Sequence, residues 1–588
     1  MWKSKYRYIR GNSVQENDIS DSWRRVARAV AIDEPDSDRW EKSFSSVLSN
    51  YLFLPGGRVL AGAGTNKQVT LFNCFVSGPI FDSVDSIFDS LKETAVTMQY
   101  GGGIGCDFSR LRPSGSPAVR TGSVASGPVP FMHIWNSLCE TLLATSARRG
   151  AMMGTLRCDH PDIEAFINAK RKPGALSNFN LSVLITDEFM KAVSDDSEWQ
   201  LVYPVDSASR EFGRIDQEGN SESAIGPRDT RRVRARDLWR LIIQAAHETG
   251  EPGLLFIDHI NRNNNLYYCE NISATNPCGE IPLPPYGACN LGSINLTALV
   301  QAPFTDRRKL DRQELCETVK VAVRFLDNVI DVSQFPLPQQ AEQARGTRRI
   351  GLGITGLADM LAMLQLSYDS DEGREFASSV MKLIRDTAYE VSVELAREKG
   401  AFPFFDNAKY LQAPFIRRLP RNLQDGIAKH GIRNSHLLAI APAGTISLLA
   451  DNVSSGIEPI FSLRAAREVR DHDLKIQTLV LRDHAFSQWL DTKKETGKLP
   501  AHFVTADALS ARAHLAMQAS LQPLVDSAIS KTVNLPADAT AADVAKVYTD
   551  AYSFGLKGCT VFRSGTERGQ VLRARDASHC CHVDREAD

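Results

Sequence analysis

Short apolar runs alternate with longer amphipathic stretches along most of the chain. Val84 to Met98, Leu238 to His247, Cys316 to Val332 and Phe376 to Lys399 place apolar residues at helical spacing, and Gly400 stands where the last of these helices would stop. Between such stretches lie strand-length runs, among them Leu71 to Val76 and Leu437 to Ala441. The alternation predicts a parallel or mixed α/β architecture. Ahead of it, residues 1 to about 50 read as polar, Trp-containing helical segments that end at the turn Pro55 to Gly57. No period of roughly 20 to 50 residues recurs, which argues against solenoids and propellers. Residues 193 to 234 interrupt the pattern with polar and charged sequence. The basic run from Pro227 to Arg236 reads either as a solvated loop and helix face or as a phosphate-binding patch.

The 588 residues allow several domains or one large α/β domain with additions. Lys and Arg number 68 against 70 Asp and Glu, a net charge of −2, so no global field draws the chain to nucleic acid or a membrane. The start, MWKSKYRYIRGN, lacks an apolar signal region, and no run approaches the roughly 18 apolar residues of a spanning helix. A soluble, unexported, cytoplasmic protein is expected. Eleven cysteines are too sparse for a disulfide scaffold, and their odd number suits a reducing compartment.

One segment concentrates chemistry. In Ala274-Thr275-Asn276-Pro277-Cys278-Gly279-Glu280-Ile281-Pro282, the prolines and glycine exclude a regular helix. In an extended backbone Asn276, Cys278 and Glu280 share a face, so a carboxamide, a thiol and a carboxylate would project together. A Pro-rich surface loop with an incidental cysteine is the alternative. Cys289, followed by Asn-Leu-Gly-Ser-Ile-Asn-Leu, and Cys74, in Leu-Phe-Asn-Cys-Phe-Val, both read as strand-borne, either as separate core thiols or as a buried pair. Gly101 to Gly105 lacks the G-x-G-x-x-G spacing, follows a helix-like run and has no acidic residue at the expected position, which argues against dinucleotide binding. Pro442-Ala-Gly-Thr-Ile-Ser447 leaves an apolar run with Gly444 beside two hydroxyls, a pattern for an ordinary turn or for a phosphate at a helix N-terminus.

These motifs occur in one order: Asn73-Cys74, Gly101 to Gly105, Asn276 to Glu280, Cys289, Ala441 to Ser447 and Ser455-Gly-Ile-Glu-Pro459. Together they resemble the catalytic chain of ribonucleotide reductases, over roughly Pro55 to Gln570. Pro55-Gly-Gly-Arg-Val-Leu-Ala-Gly-Ala-Gly64 is similar to the adenosylcobalamin-dependent, class II branch. The resemblance implies a ten-stranded α/β barrel of the ribonucleotide reductase and glycyl-radical type over 55–570. A helical segment over 1–54 would precede it, a finger loop would lie inside it, and a flexible tail over 571–588 would follow. It implies that Cys278 carries a thiyl radical, that Glu280 acts as general base and that Asn276 orients the sugar hydroxyls. Cys74 and Cys289 would become a disulfide each turnover, which requires Cα atoms within about 6 Å. Pro442, Ala443, Gly444, Thr445, Ile446 and Ser447 would cradle the phosphates of a ribonucleoside diphosphate, with Arg58, Asn73 and Gly103 as further substrate contacts.

The same resemblance implies a deoxynucleoside triphosphate specificity effector, for which Asp82 and Arg112 are the expected contacts, within segments Asp82 to Thr121 and Lys170 to Asn178. A homodimer is expected. Cys580 and Cys581 stand where tail cysteines would re-reduce the disulfide for a thioredoxin-like dithiol donor, although adjacent cysteines depart from the usual separated pair. His579 to His582 otherwise reads as a metal cluster, which four consecutive residues rarely form. Lys557 to Arg563 lacks the tyrosine pair of a radical relay from a separate subunit, and the terminus lacks a glycyl-radical motif, so adenosylcobalamin is the expected radical source, with no metal ligated by the protein. The short N-terminal segment predicts no on/off control by dATP. A catalytically retired nucleotide-binding homologue, a reductase needing a separate radical-generating subunit and a glycyl-radical lyase are the rival readings.

Overall fold

The structure, a computed structural model, describes residues 1–11, 13–118, 123–143, 151–203, 229–470, 476–493, 499–565 and 572–574. The N-terminal region is helical, as the sequence predicts. Helix α1 (Ile19–Ala31) starts at Asp18, whose carboxylate accepts from Ser20 N, and Asp21 answers in a capping box. Helix α2 (Ser37–Ser49) is capped by Asp36, which accepts from Arg39 N. Between them Glu34 is buried and receives Arg324 through two bonds of 2.7 Å, Asn328 at 2.9 Å and Lys399 at 2.8 Å. Burial alone would raise this carboxyl, but those donors bring it down to about 2. The network pins the helical region to two long helices of the following body.

That body is built on a strand path that switches direction twice. Strand β1 (Phe53–Pro55) pairs antiparallel with β7 (Ala288–Asn295). Strands β2 (Cys74–Val76), β3 (Gly103–Asp107), β4 (Met152–Arg157), β5 (Phe179–Ile185) and β6 (Gly253–Phe256) follow one another in parallel. β7 runs parallel to β8 (Ile350–Thr355), and β9 (Thr532–Leu535) to β10 (Gly558–Arg563). The two sets meet antiparallel, β7 against β2 and β10 against β6. Helices between consecutive strands make the parallel steps possible. Examples are α3 (Val84–Gln99), α4 (Pro128–Leu143), α5 (Arg312–Val332) and α6 (Asp371–Lys399), the last ending at Gly400 with φ +84°.

The sheet closes on itself. Its path ends at β8 and β9, and the extended stretch Leu437–Ile440 bonds to both sides: Leu352 N donates to Leu437 O at 2.8 Å, and Ser530 N to Ile440 O at 2.9 Å. Counting that stretch with the nine strands of the path gives a ring of ten. The ring matches the α/β barrel that the family resemblance implies, with its last seam made by isolated bridges rather than a full ladder.

Inside the ring sits a hairpin whose strands are Ala274–Thr275 and Pro282–Leu283. Its apolar residues Ala274, Ile281 and Leu283 pack with Cys74, Val76, Cys289, Leu291 and Ala439 in a cluster separate from the main core. Gly105 makes this approach possible, because a Cβ there would stand 1.9 Å from Thr275 O. The Gly101 to Gly105 run thus opens a barrel strand and leaves room for the hairpin. Beyond the barrel, the start of the C-terminal segment departs from a free tail: Leu572–Ala574 pairs antiparallel with residues 465–467.

Candidate functional site

The hairpin tip is a turn, which corrects the extended geometry expected for Asn276 to Glu280. Gly279 N donates to Asn276 O at 3.1 Å, and Gly279 takes φ +84°, a left-handed conformation that glycine adopts without strain. The polar side chains consequently meet across the base of the turn rather than along one face. Asn276 Nδ2 donates to Glu280 Oε1 at 2.8 Å and to Cys74 Sγ at 3.2 Å, while Asn276 Oδ1 accepts from Ile281 N at 3.0 Å. Cys74 Sγ donates in turn to Glu280 Oε1 at 3.7 Å. Asn276 and Glu280 are buried, whereas Cys278 at the tip is half-buried. Asn180 of β5 holds the tip by donating Nδ2 to Pro277 O at 2.8 Å, and Ala528 N fixes its far side by donating to Glu280 O at 2.9 Å.

Cys74 and Cys289 are direct partners across the antiparallel β2–β7 junction, and both are buried thiols. Facing residues of an antiparallel pair have Cα atoms about 4.5–5.5 Å apart, which is disulfide range. Burial first, then the Glu280 charge, pushes the Cys74 thiol well above its ordinary range. Burial likewise raises Cys289, where Arg349 is the leading opposing charge.

Cys278 opens onto a cavity of about 330 Å³. Its lining includes Pro277, Cys278 and Gly279 of the hairpin tip, Pro442, Gly444 and Ser447, and the apolar side chains of Phe461, Leu481 and Phe562. Gly444–Leu449 is a short helix, α7, with Ala443 at its N-cap, and Gly444, Thr445, Ile446 and Ser447 are buried. Ala443 N donates to Ser455 Oγ at 2.7 Å, which ties the start of α7 to the Ser455–Pro459 loop. The loop is anchored by Lys531, buried in its side chain, whose Nζ donates to Glu458 Oε2 at 2.5 Å, Thr532 O at 2.6 Å and His514 Nδ1 at 2.8 Å. Burial, then the Lys531 charge, drives His514 down to about 2, leaving a neutral ring that accepts. Asn73 O receives Gly103 N at 2.9 Å, and the Arg58 guanidinium lies against Gly101, so Arg58, Asn73 and Gly103 gather at the start of β2 and β3.

Asp82 and Arg112 are brought together, away from the hairpin. Arg112 donates its Nε to Asp82 Oδ2 at 2.5 Å and its N to Oδ1 at 3.1 Å, and Tyr203 OH donates to the same carboxylate at 3.2 Å. Lys170 of the neighbouring loop is buried in an ion pair with Glu251 at 2.9 Å. Cys580, Cys581, Thr121 and the stretch 204–228 lie outside the described residues. Among the described residues no helix is long and apolar enough to cross a membrane, and no group of three or more His, Cys, Asp or Glu is placed to hold a metal ion.

The barrel's two halves, joined antiparallel, thus enclose a cysteine-tipped hairpin with a facing cysteine pair at its base. The sequence matches the family described as ribonucleotide reductase, barrel domain, over residues 72–562, and ribonucleotide reductase, all-alpha domain, over residues 1–68. The chain belongs to the ribonucleotide reductase family. Over 569 residues it is 41% identical to a vitamin B12-dependent ribonucleoside-diphosphate reductase of Mycobacterium tuberculosis, covering 94% of this chain and 76% of that protein. A protein of the same description from Thermoplasma acidophilum is 39% identical over 553 residues, 91% of this chain and 66% of its own. The vitamin B12-dependent ribonucleotide reductase of Streptomyces coelicolor is 29% identical over 614 residues, 92% of this chain and 61% of its own.

Several residues that build the site are not singled out by the sequence: Asn180, Lys531, His514 and Arg349, while Gly105 enters only within the Gly101–Gly105 motif. Ser455 and Glu458 appear there only as part of a motif. A glycine inside a strand-like run was the one available signal for a close backbone approach at Gly105.

Proposed function

We propose that the chain reduces ribonucleoside diphosphates to 2′-deoxyribonucleotides by thiyl-radical chemistry, with adenosylcobalamin as radical source. The observation that carries this is the meeting of Asn276, Glu280 and Cys74 at the base of a turn whose tip, Cys278, faces a cavity lined by the Pro442–Ser447 cradle. In this reading the Cys278 sulfur takes the 3′-hydrogen, breaking C–H and forming S–H. Glu280 accepts the 3′-hydroxyl proton, general-base work that its bond to Asn276 prepares. A thiol proton of the Cys74–Cys289 pair lets the 2′-hydroxyl leave as water; the pair supplies two electrons and its second hydrogen to C2′ and becomes a disulfide, Glu280 returns the 3′-hydroxyl proton, and Cys278 returns its hydrogen to C3′.

Phe461, Leu481 and Phe562, which line the same cavity as Cys278, are apolar groups that would pack against a corrin. When bound, the cofactor supplies a weak cobalt–carbon bond as the source of the initiating radical. The diphosphate would rest on α7 and the hydroxyls of Thr445 and Ser447, with Arg58, Asn73 and Gly103 around the sugar. Asp82 and Arg112, already paired, would be re-partnered by a deoxynucleoside triphosphate effector at a homodimer contact. Cys580 and Cys581 would pass electrons from a thioredoxin-like donor.

The test is reduction of CDP and CTP by the purified chain with dithiothreitol, with and without adenosylcobalamin. Deoxycytidine product from CDP only when the cofactor is present supports the reading. Absence of product in every arm, with nucleotide binding intact, would discard it.

A further inference from the structure

Burial and Glu280 raise both cysteines of the facing pair, but the leading charge differs between them: Glu280 at Cys74 and Arg349 at Cys289. Along β7, Asn290 points outward, its Nδ2 donating to Leu326 O of helix α5 at 2.8 Å, so Cys289 and Leu291 point inward. Asn290 is in register with Ile350 of β8, and Ile350 belongs to the outer core. One residue further on, a Cβ on Gly351 would touch Leu291, Ala439 and Ile281 of the hairpin. Arg349 immediately precedes β8, and extending the register by one residue sets it opposite Cys289.

Arg349 is only 1% exposed. Its Nη2 meets Glu270 Oε1 at 2.5 Å and its Nε donates to His436 Nδ1 at 3.2 Å. Even with that carboxylate attached, the guanidinium is the foremost charge acting on Cys289, ahead of Glu280 and Asp526. Around Cys74 the foremost charge is instead the Glu280 carboxylate, to whose Oε1 its thiol donates. Asn276 gives Cys74 one amide hydrogen, but the other hydrogen of that amide serves Glu280. Cys74 is also the member of the pair that adjoins Cys278, whose tip lines the cavity.

We propose that the Cys74–Cys289 disulfide is opened with a fixed polarity. The incoming dithiol attacks Sγ of Cys74 from the cavity side, and Cys289 departs as the thiolate beside Arg349, which acts as a positioning residue. The inference rests on the reading of this pair as the turnover disulfide. A thiolate of the reductant forms a bond to Cys74 Sγ as the Sγ–Sγ bond breaks, and the electron pair passes to Cys289 Sγ, which takes the proton of the reductant's second thiol. That second sulfur then attacks the first, and Cys74 leaves and is protonated from solvent, replacing the proton the first thiol gave up. The reductant loses two electrons and becomes a disulfide; both cysteines return to thiols. Exchange is fastest when the departing sulfur is the better-stabilised thiolate, which selects Cys289.

The experiment uses the holoenzyme after one turnover on CDP without added dithiol. Peptide mapping first establishes the Cys74–Cys289 disulfide; its absence would reject the underlying reading rather than the polarity. Glutathione is then added, the reaction is quenched with acid and alkylated, and the mixed disulfide is located by mass spectrometry. The expected adduct is on Cys74, in about tenfold or greater excess over Cys289. Equal labelling, or an adduct on Cys289, overturns the proposal. Arg349→Lys should keep the preference and Arg349→Gln should bring it toward parity; an unchanged partition in a folded Arg349→Gln protein removes Arg349 from the proposal. If that variant does not fold, the partition in the unsubstituted enzyme still decides the polarity.

Discussion

Asn276 and Glu280, four residues apart, are joined by a 2.8 Å hydrogen bond across the base of the hairpin turn, and the same amide reaches Cys74 Sγ at 3.2 Å on a strand some two hundred residues upstream. One carboxamide therefore sets the relative positions of the Glu280 carboxylate and of Cys74. Its own orientation is fixed by Ile281 N at 3.0 Å.

Removing the charge of the base while keeping its shape isolates its chemistry. Glu280→Gln should lower kcat about 10²–10⁴-fold, the range for loss of a general base, with nucleotide affinity little changed. Steady-state kinetics on CDP beside equilibrium binding of the same nucleotide is the check, and near-normal kcat would rule out the assignment.

The three thiols should separate by kinetics. Cys278→Ser should abolish turnover while binding nucleotide. Cys289→Ser should also bind nucleotide and lose multiple turnover, because no disulfide can form with Cys74. Product counting per active site distinguishes these from a folding defect.

A methyl group at Gly105 has no place to go, with Thr275 O at 1.9 Å from the added carbon. Gly105→Ala should displace the hairpin and destabilise the protein by about 1–3 kcal/mol, the usual cost of overpacking. Denaturant unfolding measures the first effect and loss of CDP reduction the second.

The cradle loop depends on the Lys531–Glu458 contact. Glu458→Gln should raise KM for CDP severalfold with a smaller change in kcat, since the loop bearing Ser455 loosens while the hairpin is untouched. Loss of one charged hydrogen bond should also cost about 1.5–3 kcal/mol of stability. A fall in kcat with unaltered KM would count against this role.

Lys557 gives a pH prediction. Its Nζ donates to Asp526 O and Ser527 O, both at 2.6 Å, and burial lowers it from the ordinary 10.5 to about 7. Between those values the unfolded chain binds a proton that the folded chain does not, so stability should rise as pH increases from about 7 to 10.5 and be flat below about 7 for this group. Lys557→Met should flatten that slope, as read by melting temperature against pH in both proteins.

Helices and the α/β class were legible because apolar periodicity and caps are local: α6 ends at Gly400 as its sequence announces; the barrel was implied only by the family resemblance. The hairpin residues were legible as a set, since prolines and glycine confine them, but their geometry was not. An extended chain and a turn satisfy the same prolines, and only Gly279 at φ +84° selects the turn. The pairing of Cys74 with Cys289 was implied by resemblance and follows physically from strand register, which no window of sequence contains. Arg349 and Lys531 were invisible for that reason: each acquires its meaning from a neighbour on another strand or loop. Asp82 and Arg112 were picked out individually, while their mutual ion pair emerged only in three dimensions.

The barrel's last seam and the hairpin are held by the same short piece of backbone. Residues 527 to 530 bond to Leu438 and Ile440 across the seam, Ala528 N also holds Glu280 O, and Lys557 clamps the piece from behind. An opening fluctuation at that edge must release the base along with the wall. Amide protons at the seam and at the hairpin should thus exchange with solvent as one cooperative unit, so the lifetime of the assembled site is the lifetime of the closed ring.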